Sequence, residues 1–366
     1  MLRASLGRIE VGDGLPVRII GAINASPESF YGGSVVRSPE EALVVASRML
    51  DDGADIIDVG GMSTAPYVSS RMVSPDVEAS RVVPIVRALA RELGAAVSVD
   101  TVRASVAAAA LDAGAEIVND VSGCKADPEM ARTIASRGAS VILGEREEET
   151  PVSGSPVESI RRGLALSLRV CESAGLDLSR AIVDPGIGFF RGTGIEWHEW
   201  DSAVLRGLGR LLVLLRPIAV GVSRKSFIGR ILGIPDPAGR LIGSVAAEAI
   251  AVFAGAHALR AHDVREAVQA ARLGEAMRGR LRSSGPAIDL TRVLEPDDGP
   301  APGELAIAVE APASEVSSAV GAVGGRALDV APGASLLIVS PDGCRRLRGS
   351  GHPALESAAD LCGRGG

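Results

Sequence analysis

Lysine, asparagine and glutamine are almost missing from this chain of 366 residues. Lys125 and Lys225 are its only lysines, Asn24 and Asn119 its only asparagines, and Gln269 its only glutamine. Cysteine is sparse and scattered: Cys124, Cys171, Cys344 and Cys362 form no C-x-x-C pair, which argues against a zinc ribbon or a disulfide framework. The four histidines (198, 257, 262 and 352) show no H-x-x-x-H spacing, so a zincin helix is excluded. Long apolar runs are missing too. The longest, such as 211–215 and 217–222, are too short to cross a bilayer. The first residues carry Arg3 and Arg8 but no apolar stretch of a signal peptide, so the expected location is the cytoplasm. A surplus of basic residues is absent as well. The net charge of -7 speaks against the basic face of a nucleic-acid binder, and neither a nucleic-acid nor a membrane partner is expected. What is present is ordinary for a globular protein: 46% hydrophobic and 23% charged residues, which excludes wholesale disorder.

A strong compositional bias makes its exceptions informative. Arginine supplies nearly every cation, yet both lysines and both asparagines fall at or just after the ends of apolar, strand-like runs. Aromatic residues are only 2% of the chain, and most crowd the same loops: Phe30, Tyr31, Tyr67, Phe189, Phe190, Trp197, Trp200 and Phe227. Aromatics gathered with amides and lysines point to a ligand pocket.

Short apolar runs alternate with longer helical patterns. Strands are predicted at 17–23, 54–59, 95–99, 115–119, 139–143, 180–183, 217–222 and 256–260. Each run is continuous rather than alternating, as expected of parallel strands covered by helices. Helices are predicted at 38–51, from Ser74-Pro75 onward, and at 101–113, 127–137, 156–174, 196–213, 240–254 and 263–281. Ser38-Pro39-Glu40-Glu41 and Ser74-Pro75-Asp76 carry a capping serine followed by Pro at the first helical position. Eight βα units in this length predict an α/β fold, a (β/α)8 TIM barrel. No G-x-G-x-x-G follows the first strand to favour an open doubly wound sheet. A short hairpin with its turn at Gly12-Asp13-Gly14 precedes the barrel. The barrel is expected over 1–284, a linker over 285–303, and a small C-terminal α/β module of unread role over 304–366. That module holds two strands (304–310 and 335–340) around a helix (312–323).

In a barrel, the loops after the strands make the active-site face. Asp100, Asn119 and Asp184 follow three different strands and are expected to converge there. Carboxylates accept paired N–H bonds, and Asn offers one donor and one acceptor, so the set suits a flat, nitrogen-rich ring such as a pterin or guanine. Arg260, His262 and Asn24 form a second set, suited to an anion. Lys225 is a point charge between the two. Lys125 reads as a loop charge and Glu147-Glu148-Glu149 as a solvated loop.

Seven motifs in order carry a resemblance: N-A-S-P-E-S-F at 24–30, D-V-G-G-M-S-T at 58–64, S-V-D-T at 98–101, I-V-N-D at 117–120, D-P-G-I-G-F at 184–189, S-R-K-S-F at 223–227 and R-A-H-D-V at 260–264. Over about residues 17–280 the chain resembles the dihydropteroate synthases, as a divergent, archaeal-like member. The resemblance implies a transferase of folate or modified-folate biosynthesis. Such an enzyme joins 6-hydroxymethyl-7,8-dihydropterin diphosphate to p-aminobenzoate or a related arylamine and releases diphosphate. It implies that Asp100, Asn119, Asp184, Lys225 and Phe189 hold the pterin, and that Asn24, Arg260, His262 and Thr64 serve the diphosphate. It further implies Mg²⁺ at Asn24, catalytic roles for Asp100, Lys225, Arg260 and His262, and a homodimer.

The departures bear on the acceptor. Where the family has an arginine in the second loop this chain has Ala65, and Gly144-Glu145-Arg146 replaces the family's M-H-M after strand five. They raise the expectation of an altered arylamine, such as one bearing a sugar phosphate. Two other readings are a methyltetrahydropterin:corrinoid methyltransferase and a pterin-binding protein without turnover. The S-R-K-S and R-x-H motifs favour the synthase over the first; the missing loop arginine is the support for the second.

Overall fold

The structure is a computed structural model that describes residues 2–26, 35–62, 73–150, 152, 154–278, 305–309, 314, 316–317, 320, 326–331 and 334–339. The chain divides into two compact units. One comprises residues 2–208 and 216–277; the other comprises 209–215 and the described part of 278–366.

The first unit is the expected barrel. A hairpin of β1 (Arg3–Leu6) and β2 (Ile9–Gly12) comes first. Eight parallel strands follow: β3 (Arg18–Asn24), β4 (Ile56–Gly60), β5 (Val97–Asp100), β6 (Ile117–Asp120), β7 (Ser140–Leu143), β8 (Ala181–Val183), β9 (Ala219–Val220) and β10 (Ala258–Ala261). Their order around the sheet is β8-β7-β6-β5-β4-β3-β10-β9. A parallel bridge from Val183 to Ile218 joins β8 to β9 and closes the ring. Every residue of β4 to β9 is buried, which is why those segments read as unbroken apolar runs.

The connecting helices start where the serines say. Ser38, Ser74 and Ser155 each accept a hydrogen bond from the backbone N–H three residues on, with Pro39, Pro75 and Pro156 next in line. They open α1 (Pro39–Asp51), α2 (Pro75–Glu92) and α5 (Pro156–Ser173). The others are α3 (Ala104–Ala113), α4 (Met130–Ser136), α6 (Trp197–Arg206), α7 (Ser226–Leu232), α8 (Leu241–Phe253) and α9 (Val264–Arg278). The sequence pattern misses α7. At 7 residues, ended by Gly233 in the left-handed region (φ 70°), it is too short to show a helical period.

The hairpin differs from expectation in one respect. Leu6 pairs with Ile9, so its two-residue turn is Gly7-Arg8, with Gly7 at φ 58°. Gly12-Asp13-Gly14 instead turns the chain from the hairpin toward β3. The hairpin forms the barrel floor. Its Ala4, Leu6 and Val11 pack with Ile20, Ile56, Ala96, Ile117, Ile142, Ile182, Ala219 and Ala258, a buried residue from or beside each barrel strand.

In the second unit, β11 (Leu305–Val309), β12 (Arg326–Ala331) and β13 (Ala334–Val339) form an antiparallel sheet in the order β11-β13-β12. Residues 314, 316–317 and 320 are helical. The middle segment in sequence, β12, is a strand the sequence pattern does not anticipate.

Candidate active site

Strand periodicity builds the site on the floor. Side chains alternate along a strand, so the residue two beyond each apolar floor residue also faces inward. Two beyond Ile56, Ile117 and Ala258 stand Asp58, Asn119 and Arg260. They meet: Asn119 Nδ2 donates to Asp58 Oδ2 at 3.1 Å, and Arg260 Nε donates to the same oxygen at 2.6 Å. The next inward step brings Asn24 and Asp100. Arg260 Nη2 donates to Asp100 Oδ2 at 3.0 Å. Gly60 lies between them: a Cβ there would stand 3.7 Å from both Asn24 Oδ1 and Asp100 Oδ2.

Asn119 and Arg260 are thus joined through Asp58, to which sequence reasoning gave no role, and Asp100 joins them through Arg260. Asp58 is fully buried and accepts from residues 61 and 202 positions away. A charged residue inside the apolar run I-I-D-V is the signal that could have found it, since a buried carboxylate needs partners. The cluster is not saturated. Asp58 Oδ1 and Asp100 Oδ1 are buried with no hydrogen-bond partner among the described residues. Such acceptors call for donors from a ligand or water.

Asp184 and Lys225 stand on neighbouring loops. Asp184 Oδ1 accepts from the Gly186 N–H at 2.8 Å, which tightens the D-P-G turn. Lys225 Nζ donates to Ile187 O at 2.6 Å and sits 4.5 Å from the centre of the Phe189 ring, a cation–π contact. Arg224 holds the loop that carries Lys225. It takes a left-handed backbone (φ 56°) and forks onto Asp263 with two bonds of 2.8 Å. His262 Nδ1 lies 3.4 Å from Ala22 O, and its backbone N–H donates to Ser223 Oγ at 3.3 Å. Thr64, Ala65, Phe30, Tyr31 and Tyr67 lie outside the described residues.

Burial tunes the titrating groups. It raises the Asp100 carboxyl to about 7, with the Asp58 and Glu78 charges adding to the rise and Arg260 and Lys225 opposing it. Burial lowers the Lys225 ammonium to about 8, against the pull of Asp184 and Asp201. Burial, and then the Arg260 charge, lowers His262 to about 4. The imidazole is therefore neutral at pH 7. Burial also pushes Asp184 up, against the Gly186 N–H and the Lys225 and Arg260 charges. For Arg260 burial acts downward, but Asp58 and Asp100 more than reverse it, so the guanidinium stays charged.

Two readings from sequence are corrected here. Lys125 is no loop charge: it is buried in an ion pair with Glu145 and donates to Ser167 Oγ at 3.0 Å. Glu147 is not simply solvated, because its carboxylate accepts from the Arg191 and Gly192 backbone N–H groups at 2.6 and 2.8 Å. Glu149 pairs with Arg146 at 2.6 Å. The loop after β7 is thus tied down on both sides. Among the described residues no three His, Cys, Asp or Glu side chains gather as a metal site, and no helix is long and apolar enough to cross a membrane.

A closed barrel whose rim gathers two unsaturated carboxylates, an amide and three basic side chains defines a class of ring-binding, anion-handling enzyme. Residues 20–262 match the family described as pterin binding enzyme. The chain is 39% identical over 289 residues to the dihydropteroate synthase of Mycobacterium leprae, covering 76% of this chain and 98% of that one. It is also 39% identical over 267 residues to a probable bifunctional folylpolyglutamate synthase/dihydropteroate synthase of Haloferax volcanii, covering 71% of this chain but 30% of that one. Identity therefore does not set the chain on the archaeal side. The dihydropteroate synthase of Clostridium difficile, solved in the presence of pteroic acid, superposes with a TM-score of 0.66 at 37% identity, covering 72% of this chain and 98% of that one. The chain belongs to the dihydropteroate synthase family.

Proposed function

We propose that the barrel rim joins 6-hydroxymethyl-7,8-dihydropterin diphosphate to p-aminobenzoate or a close arylamine and releases diphosphate. The observation that carries this reading is the network in which Asn119 and Arg260 both donate to Asp58 and Arg260 also donates to Asp100, with two buried carboxylate oxygens left for ligand N–H donors. Asp100, Asn119 and Asp184 present the acceptors and the amide that a pterin edge needs. Phe189 and Lys225 would lie along the ring. As the C–O bond to diphosphate breaks, positive charge grows on the pterin side and an ionised Asp100 stabilises it. The Arg260 Nη1 nitrogen makes no hydrogen bond to the described residues and is suited to the departing anion, beside His262 and Asn24. Thr64 would join from the second loop. The arylamine nitrogen then attacks the exposed methylene carbon and loses a proton.

Mg²⁺ is part of this reading. Among the described residues the ion is offered one amide oxygen, Asn24, and no cluster of three His, Cys, Asp or Glu side chains. That suits an ion held chiefly by diphosphate oxygens and water. When bound, it would supply charge neutralisation to the leaving group. We place the enzyme in the cytoplasm and expect a homodimer. Ile242, Ile250 and Phe253 of α8, each more than half exposed, support a covered face there.

A coupled diphosphate-release assay with purified protein, Mg²⁺ and a panel of arylamines tests the reaction. Release with p-aminobenzoate is the expected result, and binding of the pterin diphosphate without release on any arylamine would overturn it. Faster turnover of a ribosyl-phosphate arylamine than of p-aminobenzoate would identify an altered acceptor.

A second result is expected from His262. The free enzyme holds it neutral, because burial and Arg260 keep its pKa near 4. A diphosphate beside it favours the imidazolium. Binding should therefore take up protons, and affinity should rise as pH falls from 8 to 6. Calorimetry in two buffers of different ionisation enthalpy measures the uptake. Its persistence in His262→Gln would take the residue out of the anion site.

A further inference from the structure

Asp201 is a fully buried carboxylate on α6, outside every motif discussed so far. A buried charge is costly unless it has partners, and this one is half-satisfied. Its Oδ1 accepts from the Gly188 N–H at 2.8 Å, while Oδ2 is buried with no hydrogen-bond partner among the described residues.

The residue it holds is the centre of the turn that cradles Lys225. Ile187 offers the carbonyl that accepts from Lys225 Nζ at 2.6 Å, and Phe189 offers the ring beneath the same nitrogen. Gly188 itself runs in the left-handed region (φ 89°), where a Cβ would stand 2.9 Å from Lys225 Cδ. Three consecutive residues therefore touch one lysine by three different surfaces, and Asp201 fixes the middle one.

We infer that Asp201 is a positioning residue: it clamps the 187–189 turn that fixes Lys225 over the pterin site, and its charge helps keep that lysine an ammonium ion. The catalytic part of this inference rests on the function proposed above; the clamp itself does not.

The charges around the pair are few. Asp184 and Asp201 act on Lys225 with one sign, Arg260 and Arg191 with the other. Arg191 and His198 also face Asp201. Lys225 has a pKa of about 8 and Asp201 one of about 6, both displaced by burial. Above pH 7 Asp201 is therefore ionised, and removing its charge must lower the Lys225 value further.

The shortage of lysine makes this measurable. Carbon-13-labelled lysine reports only Lys125 and Lys225, and Lys225→Arg assigns the two. In Asp201→Asn, which keeps an acceptor for Gly188 but removes the charge, the Lys225 midpoint should fall by about 0.5–1 pH unit. The KM for the pterin diphosphate should rise about tenfold at pH 8.5 and less at pH 7, with the arylamine KM unchanged. An unmoved Lys225 midpoint would overturn the inference, whatever the activity. Absence of turnover in the unaltered protein would overturn the proposed function and leave the titration result standing. Should the Asn variant not fold, the unaltered protein suffices. Its Gly188 amide proton shift should follow Asp201 with a midpoint near 6, and a flat response between pH 5 and 7 overturns the clamp.

Discussion

Asp100→Asn is expected to lower kcat by about 10²–10³-fold, the range for removing one preorganised electrostatic group from a reacting centre. The substitution is nearly isosteric, and the amide oxygen can still accept from Arg260 Nη2, which is 3.0 Å from Asp100 Oδ2. The barrel should therefore stand; kcat should fall and the KM for the pterin substrate should rise with it, because the amide nitrogen then takes the place of the acceptor Oδ1. The pH profile supplies the second readout. Asp100 must be ionised to stabilise a cation, and burial places its pKa at about 7, so activity should fall as the pH drops through 7. Lys225, at about 8, should set the opposite limb, giving a narrow bell. In Asp100→Asn the acid limb should vanish. A variant with kcat within twofold of the parent, and its acid limb intact, would remove Asp100 from the chemistry.

The barrel and most of this site are legible in the sequence, for physical reasons that can be named. Parallel strands buried on both faces leave continuous apolar runs, and all eight appear as such within a residue or two of their observed ends. Asn24, Asn119 and Lys225 stand out because the chain avoids those residue types elsewhere. What is not legible depends on long-range pairing. Asp58 gains its meaning only when β6 and β10 bring Asn119 and Arg260 to it. Lys125 looks like any exposed lysine until the fold places Glu145, 20 residues on, against it. Asp201 reads as one more polar position on an amphipathic helix until Gly188 is seen to donate to it. Turn geometry hides as well. Two glycine-bearing turns lie within eight residues of each other in the hairpin, and only the register of Leu6 with Ile9 says which one closes it.

Arg260→Met should do the most damage to the protein as a whole, because it removes the cation that, among the described residues, bonds to both Asp58 and Asp100. Two carboxylates would then face each other in a buried barrel mouth. Breaking a buried pair by deleting one partner costs about 3–5 kcal/mol, most of it the uncompensated charge left behind. The cost must depend on pH, and the sign follows from Asp100, whose carboxyl burial already raises to about 7. In the folded variant, without Arg260 to oppose that rise, its pKa climbs further above the unfolded value, so its contribution is harmless at low pH and becomes a loss as the pH rises. Urea unfolding of the barrel should accordingly show a deficit relative to the parent that is small near pH 5 and large near pH 8. Diphosphate release should be lost at every pH, because the arginine proposed to receive the leaving anion is gone. A second substitution separates the two effects. Adding Asp58→Asn to Arg260→Met should recover much of the stability at pH 8 without restoring turnover. If the double variant is no more stable than the single one, charge repulsion between Asp58 and Asp100 is not what Arg260 relieves. If it regains turnover, Arg260 is not the residue that receives the diphosphate.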